Sequence, residues 1–284
     1  MAIEVRPVTT VEECHLIEDI TCAAWEGDIS IAVPEHMTIT VARENGGVVL
    51  MAWEGETAVG FCLGFLSYVG AAYGGAEKRL KHHSHLAGVL PSHRGKHVGE
   101  IIKWAQRGAV LAQDIDHMTW TYDPLETRNG NLNLHKLGAV CSTYKRDVYG
   151  FINDGLNQGS PTDRFYVDWW LGSKWVRDHA AKRYQSKSQA EWLEEEAVIA
   201  NPPLQQESVW LPGDFIESKA RYVLVAVPKD YQSVKRAYPE AGLAWRLHTR
   251  EIFEWAFRAG YTAVDLIVEK ALCYYLLVKN WVIE

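Results

Sequence analysis

The sequence carries no G-x-x-x-x-G-K-[ST] stretch and no G-x-G-x-x-G turn after an early strand, which excludes the common NTPase and dinucleotide loops. It also has no C-x-x-C pair. The five cysteines, Cys14, Cys22, Cys62, Cys141 and Cys273, are scattered and odd in number, so a reduced, cytoplasmic setting is the simplest expectation. Strong charge of one sign is missing too. Lys and Arg total 29 against 36 Asp and Glu, a net −7, which argues against nucleic acid as a partner. No apolar signal core follows the early charges Glu4 and Arg6, and no internal repeat or low-complexity tract is visible. The one long uncharged run, Ala58 to Ala76, is broken by Gly60, Gly64, Gly70, Gly74 and Gly75. It reads as a buried strand and a glycine-rich loop, and no membrane span is expected.

At 284 residues the chain is long enough for one large or two small domains with a substantial core. The most informative stretch runs from His85 through Leu86-Ala-Gly-Val-Leu90, Pro91 and Arg94-Gly-Lys-His-Val-Gly99 to Glu100-Ile-Ile-Lys-Trp-Ala-Gln-Arg107. It reads as a buried strand stopped by proline, a loop, and a helix with apolar positions at Ile101, Ile102, Ala105, Val110 and Leu111. The first N–H groups of a helix have no internal partner and the helix dipole is positive there, so an anion is the natural ligand of such a turn. Seven cations, Lys78, Arg79, Lys81, Arg94, Lys96, Lys103 and Arg107, surround it against the single acid Glu100, which predicts an electropositive segment suited to a polyphosphate.

The loop resembles the Q/R-x-x-G-x-G/A turn of the GNAT N-acetyltransferase superfamily. A second block, Met118 to Tyr122 followed by Asp123-Pro124 and Arg128 to Gly138, is similar to the family's N-x-x-x-x-x-L-Y-x-K-x-G-F segment, with Lys136 and Gly138 in register. The continuation through Asp147 to Gly150, Leu156 to Gly159 and Pro161 to Phe165 resembles a larger bacterial subgroup of predicted acyltransferases. The resemblance implies an α/β fold with a mixed, largely antiparallel, splayed sheet flanked by helices over 1–172, and an additional C-terminal α/β segment over 173–284, either a second domain or an extension. It implies acetyl-CoA or another acyl-CoA as acyl donor. Main-chain groups of Arg94, Gly95, Lys96, His97, Val98 and Gly99 would hold its pyrophosphate, backbone near Val89 and Leu90 its thioester carbonyl, and Asn131 and Asn133 its pantetheine amides. Two positions depart from the pattern. His97 stands where the family usually has glycine, although the helical conformation expected there tolerates a side chain. Leu134 replaces the usual tyrosine, the acid that protonates the leaving thiolate.

Acyl transfer to an amine needs a polarised carbonyl, a base for the ammonium proton and an acid for the thiolate. Asp123 and Glu126 are candidates for the base, although the first could form a turn before Pro124 and the second could cap a helix. Tyr144 and His135 are candidates for the acid. The expected activity is N-acylation of a primary amine of a small molecule, an amino acid included. The alternative is a catalytically silent acyl-CoA-binding sensor. A homodimer stays open. His82, His83, His85, His93 and His97 suggest a metal, and on a strand His83 and His85 would share a face. With no Cys or carboxylate partner nearby in sequence, no metal site is expected.

Elsewhere, Ala2 to Val8 reads as an edge strand and Val11 to Trp25 as a helix. Gly47 to Trp53 and Thr57 to Tyr68 form a hairpin through Glu54-Gly-Glu56. Strands are predicted at Ala139 to Tyr149, Arg164 to Trp170, Arg221 to Val227, Tyr261 to Val268 and Leu272 to Val278, with a helix at Leu243 to Ala259. The polar stretch Ser173 to Ala200 reads as a linker or insertion. Among twelve tryptophans, Trp169, Trp170 and Trp175 cluster in sequence, as core or as the wall of a pocket.

Overall fold

The computed structural model describes residues 2–27, 29–43, 46–69, 79–150 and 160–284. They fall into two compact units. The first holds the described residues up to Trp120 together with Trp169–Gly172, and the second holds 121–150, 160–168 and 173–284. Residues 121–150 and 160–168, which precede the boundary expected at Gly172, therefore pack with the C-terminal segment.

In the first unit the elements follow the expected order: β1 (Ile3–Pro7), α1 (Val11–Trp25), α2 (Glu35–Arg43), β2 (Val48–Glu54), β3 (Thr57–Tyr68), β4 (Leu80–Val89), α3 (Val98–Leu111) and β5 (His117–Tyr122), whose last two residues belong to the second unit. Strands β1 to β4 pair antiparallel with their chain neighbours, and β5 joins β4 in parallel. Helix α1 starts at Thr10, whose hydroxyl takes the Glu13 N–H while the Glu13 carboxylate reaches back to Thr10 N–H, a reciprocal cap. Its Cys14, Ile17 and Ile20 then pack on Val49, Met51, Phe61 and Leu63. Strand β3 accounts for the first part of the uncharged run. The glycine-rich part, 70–76, lies outside the described residues, and no described helix is long and apolar enough to cross a membrane.

The second unit contains α4 (Thr127–Gly130), continued by one π-helical turn at Asn131–Lys136, then β6 (Val140–Lys145) and β7 (Arg164–Trp170), whose last two residues belong to the first unit. There follow α5 (Lys174–Ala180), α6 (Gln189–Glu194), β8 (Val198–Ile199), β9 (Leu204–Gln206), β10 (Val209–Leu211), β11 (Tyr222–Pro228), α7 (Tyr231–Ala237), α8 (Pro239–Arg258), β12 (Tyr261–Val268) and β13 (Leu272–Lys279). Its strands lie in the order β7-β6-β12-β13-β11-β8, antiparallel except for the last pair, with β9 and β10 a separate hairpin. Strands β11 and β13 are apolar and buried nearly throughout, and α8 buries Trp245, Ile252, Phe253 and Ala256.

Ser173 to Ala200 is not a linker: it supplies α5, α6 and β8, and β8 pairs with β11 through Val198 and Ile199. Of the two readings of the tryptophans, core holds for Trp169. Trp169 is fully buried between Trp104 and Trp120, Trp170 stacks on His117 at 4.0 Å, and Trp175 belongs to the second unit, against His179 and Tyr184.

Candidate active site

The loop after β4 is built from short turns. Pro91–His93 forms one 3-10 turn, His93 N–H donates to Leu90 C=O at 2.9 Å, and Lys96 N–H to His93 C=O at 3.3 Å. Gly95 has φ +81° and open space on every side of a would-be Cβ, a position glycine adopts without cost. His97 is not helical, which corrects the sequence-based reading: its φ of 61° is left-handed, so the chain carries a side chain where the backbone favours glycine. Beyond it α3 opens with no side-chain cap, and its first internal bond runs from Ile101 N–H to His97 C=O at 3.0 Å. The N–H groups of Val98 and Gly99 thus precede the helical ladder and carry the positive end of the dipole. His93 ties the loop to β2 through Glu54 at 3.2 Å. The Arg94 side chain turns away from the helix start and donates to Ala24 C=O at 2.6 Å, at the end of α1.

Strand β4 feeds this loop with one edge half used. Among the described residues β5 pairs with it only at His82–Met118 and His83–Thr119, so the ladder stops before Leu86 to Val89. On the opposite edge β3 stays paired up to Gly60–Val89, and Leu90 N–H donates to Val59 C=O at 3.0 Å. Leu90 N–H is therefore engaged, whereas the β5-facing edge of Leu86 to Val89 is where extended ligand groups could hydrogen-bond.

The cations counted around the loop do not form one surface. Lys103 faces inward, with its Nζ donating to Gln106 Oε1 at 2.9 Å and Ser84 Oγ at 3.0 Å and lying 3.9 Å from the Trp120 ring centroid. Burial pulls this ammonium down to about 7. His82 beside it is fully buried, and burial pushes its imidazolium down to about 3. Arg107 donates twice to Leu171 C=O, Arg79 covers the Trp170 ring, and Lys78 lies outside the described residues. Exposed Lys96 and Arg94 remain at the loop itself.

All four candidates for proton transfer lie in the second unit. Asp123 ends β5. Its Oδ1 accepts Leu125 N–H at 2.8 Å, the turn anticipated from Pro124, and its Oδ2 faces Arg246 and, at 3.4 Å, Arg164. Glu126 sits at the start of α4 without capping it and accepts from Gln232 Nε2 at 2.5 Å. Burial, then the neighbouring Asp123 charge, raises the Glu126 pKa, which moves this carboxyl toward a usable base. Tyr144, on β6, donates to Asp163 Oδ2 at 2.7 Å, and burial pushes its pKa up. Asp163 also takes both donors of Arg250, at 2.7 and 2.9 Å, and Asp147 N–H at 3.0 Å. Although burial opposes ionisation of Asp163, these bonds hold it below the usual carboxylate range. The blocks at Asp147 and Pro161 to Phe165 meet here, since Asp147 Oδ1 also accepts Thr162 N–H and Oγ1–H at 3.1 Å each.

His135 stands in a different cluster, its Nδ1 3.0 Å from Asp265, which also accepts from Tyr184 and Ser186. It lies on the π-turn with Asn131, half-buried, and Asn133, buried. The turn ends at Gly138, φ +69°, where a Cβ would lie 2.7 Å from His179 Nδ1. Leu134 is fully buried. Sequence reasoning missed Arg246, Arg250 and Asp265, and counted Lys103 with the loop cations although it faces inward. For Lys103 a signal existed, because the helical repeat puts it and Gln106 on the face of Val98, Ile102 and Val110.

No protein-family model and no curated protein matches the chain. Among solved structures it is similar to Arabidopsis thaliana NAA60 in complex with a bisubstrate analogue, with 13% identity over 60% of this chain and 99% of that one and a TM-score of 0.48. It is similar to yncA from Salmonella typhimurium with its cofactor acetyl-CoA, at 15% identity over 66% and 99% of the two chains and a TM-score of 0.47. An acetyltransferase of the GNAT family from Streptococcus pneumoniae is a third, with 13% identity over 59% and 98% and a TM-score of 0.46.

Proposed function

We propose that the chain is an acyl-CoA-dependent N-acyltransferase that moves an acetyl or other short acyl group to a primary amine of a small molecule. The observation that carries this reading is the uncapped start of α3 behind two left-handed residues, Gly95 and His97, next to a β4 edge that β5 leaves unpaired. A diphosphate suits the first feature because amides and dipole act together on an anion, and an extended amide chain suits the second. In the reaction the amine nitrogen attacks the thioester carbonyl, the C–S bond breaks, the ammonium proton passes to a base and the thiolate takes a proton from an acid. Glu126, whose raised pKa makes its carboxylate the stronger proton acceptor, is proposed as the base. Tyr144 is proposed as the acid, its hydroxyl oriented by Asp163.

One finding favours the second reading, a sensor that binds acyl-CoA without turnover: the position of the resemblance's usual acid is Leu134, sealed in the core. Two measurements separate the readings. In calorimetry, Lys96→Glu should weaken coenzyme A binding by about tenfold, with a larger effect at low salt, because a repulsive charge replaces an exposed loop cation. Thiol release from acetyl-CoA with a panel of amines should follow for the enzyme. Binding without release for any amine would leave the sensor.

A further inference from the structure

Arg246 on α8 is 1% exposed, yet two of its three guanidinium nitrogens, Nε and Nη1, are buried without a hydrogen-bond partner. The third meets Asp123 Oδ2, an oxygen that Arg164 Nη1 also approaches at 3.4 Å. Asp123 therefore faces two guanidinium groups with one negative charge. Among the described residues, Asp123 is the one carboxylate that bonds Arg246. Asp163 is saturated by Tyr144, Arg250 and Asp147 N–H, and Glu126 accepts from Gln232 and leaves Arg246 Nε and Nη1 without a partner. Below the guanidinium lies the Tyr231 ring, 5.3 Å away, whose hydroxyl lies 3.3 Å from Gly242 C=O and from Ser160. Unpaired buried donors on a charged group are costly, and a guanidinium left this way fits a two-oxygen anion best.

We propose that Arg246, backed by Arg164, seats the carboxylate of the acceptor, which makes the acceptor an amino acid or a similar amino carboxylate. This rests on the acyltransferase reading for the word acceptor, while the seat itself rests on Arg246. Half-buried Asp123 bonds Arg246 and its charge acts on half-buried Glu126, which accepts from Gln232, so the carboxyl proposed as base belongs to the same group of side chains.

The test compares α-amino acids with their primary carboxamides on the full chain. For the natural protein, the KM of the acid should lie about tenfold or more below that of the amide, the size expected from charge-assisted hydrogen bonds. Arg246→Gln should remove that ratio by raising the acid's KM alone, with circular dichroism checking that the variant folds. Equal KM for acid and amide in the natural protein, or an unchanged ratio in a folded variant, overturns the seat while the acyltransferase stands. A readout without turnover keeps the two apart. If no amine is acylated, thermal stabilisation of the natural protein by amino acids but not by their amides upholds the seat and removes the enzyme reading. Stabilisation by neither overturns the seat.

Discussion

Each unit buries a cation, and the two are treated in opposite ways. In the first, Lys103 lies among Ser84, Gln106, Met118 and Trp120, with neutral hydrogen-bond partners and no carboxylate within ion-pair distance among the described residues. In the second, Arg246 meets Asp123 directly. Burial pulls the proton from Lys103 near neutrality. For Arg246, burial also acts against the charge, but Asp123 outweighs it and raises the guanidinium pKa further. The chemistry of the head groups reinforces this, since an ammonium deprotonates readily when desolvated and a guanidinium does not. Burial alone therefore does not decide whether a cation stays charged; the counter-ion does.

The largest effect that breaks the comparison is in stability against pH. An unfolded Lys103 would titrate at 10.5 and the folded one does so at about 7, so between these values the unfolded chain binds one more proton. Stability from this group is therefore fully present above about pH 10.5 and is lost as pH falls to about 7, a change of about 4 to 5 kcal/mol. Lys103→Met should be more stable than the natural protein at pH 7, and the advantage should shrink toward pH 10.5 in urea unfolding. Taking the difference between the two proteins cancels the opposing titration of buried Tyr122 and Tyr275. A difference independent of pH would show that Lys103 keeps its proton.

Next comes Arg246→Met, which leaves Asp123 with Arg164 alone and should cost about 3 kcal/mol in the same assay. The two deletions of a buried cation thus have opposite signs, which sharpens the comparison. A smaller effect is expected at the loop. His97→Gly should stabilise the protein by about 0.5 to 1 kcal/mol by relieving the left-handed backbone, with no loss of coenzyme A affinity. The exposed His97–Glu100 contact it removes contributes little.

Much of the first unit was legible in the sequence because its signals are local. A buried strand ended by proline, a glycine-bearing turn and an apolar helical stripe specify β4, the loop and α3 between Leu80 and Leu111. The conformation of His97 was not legible, since nothing in a residue's neighbours says which turn position takes the left-handed φ. The Arg94 side chain donates to Ala24 C=O at the end of α1, a contact spanning 70 residues that was not legible either. In the second unit β6, β7, β11, β12, β13 and α8 fall where the sequence places them, but the contacts between them were not legible, for the same reason. Arg246 pairs with a residue 123 positions away, and Asp163 with Arg250 over 87, distances at which no spacing rule operates. Ser173 to Ala200 looked like a linker because its strand β8 is two residues long and its helices are polar.

The account depends on main-chain amides at the start of α3 gripping a diphosphate. Calorimetry with coenzyme A and with pantetheine, which lacks the nucleotide and the diphosphate, tests this most directly. Coenzyme A should bind about a hundredfold more tightly, a difference of about 2.7 kcal/mol. Equal affinities for the two, or no binding of coenzyme A, would contradict it.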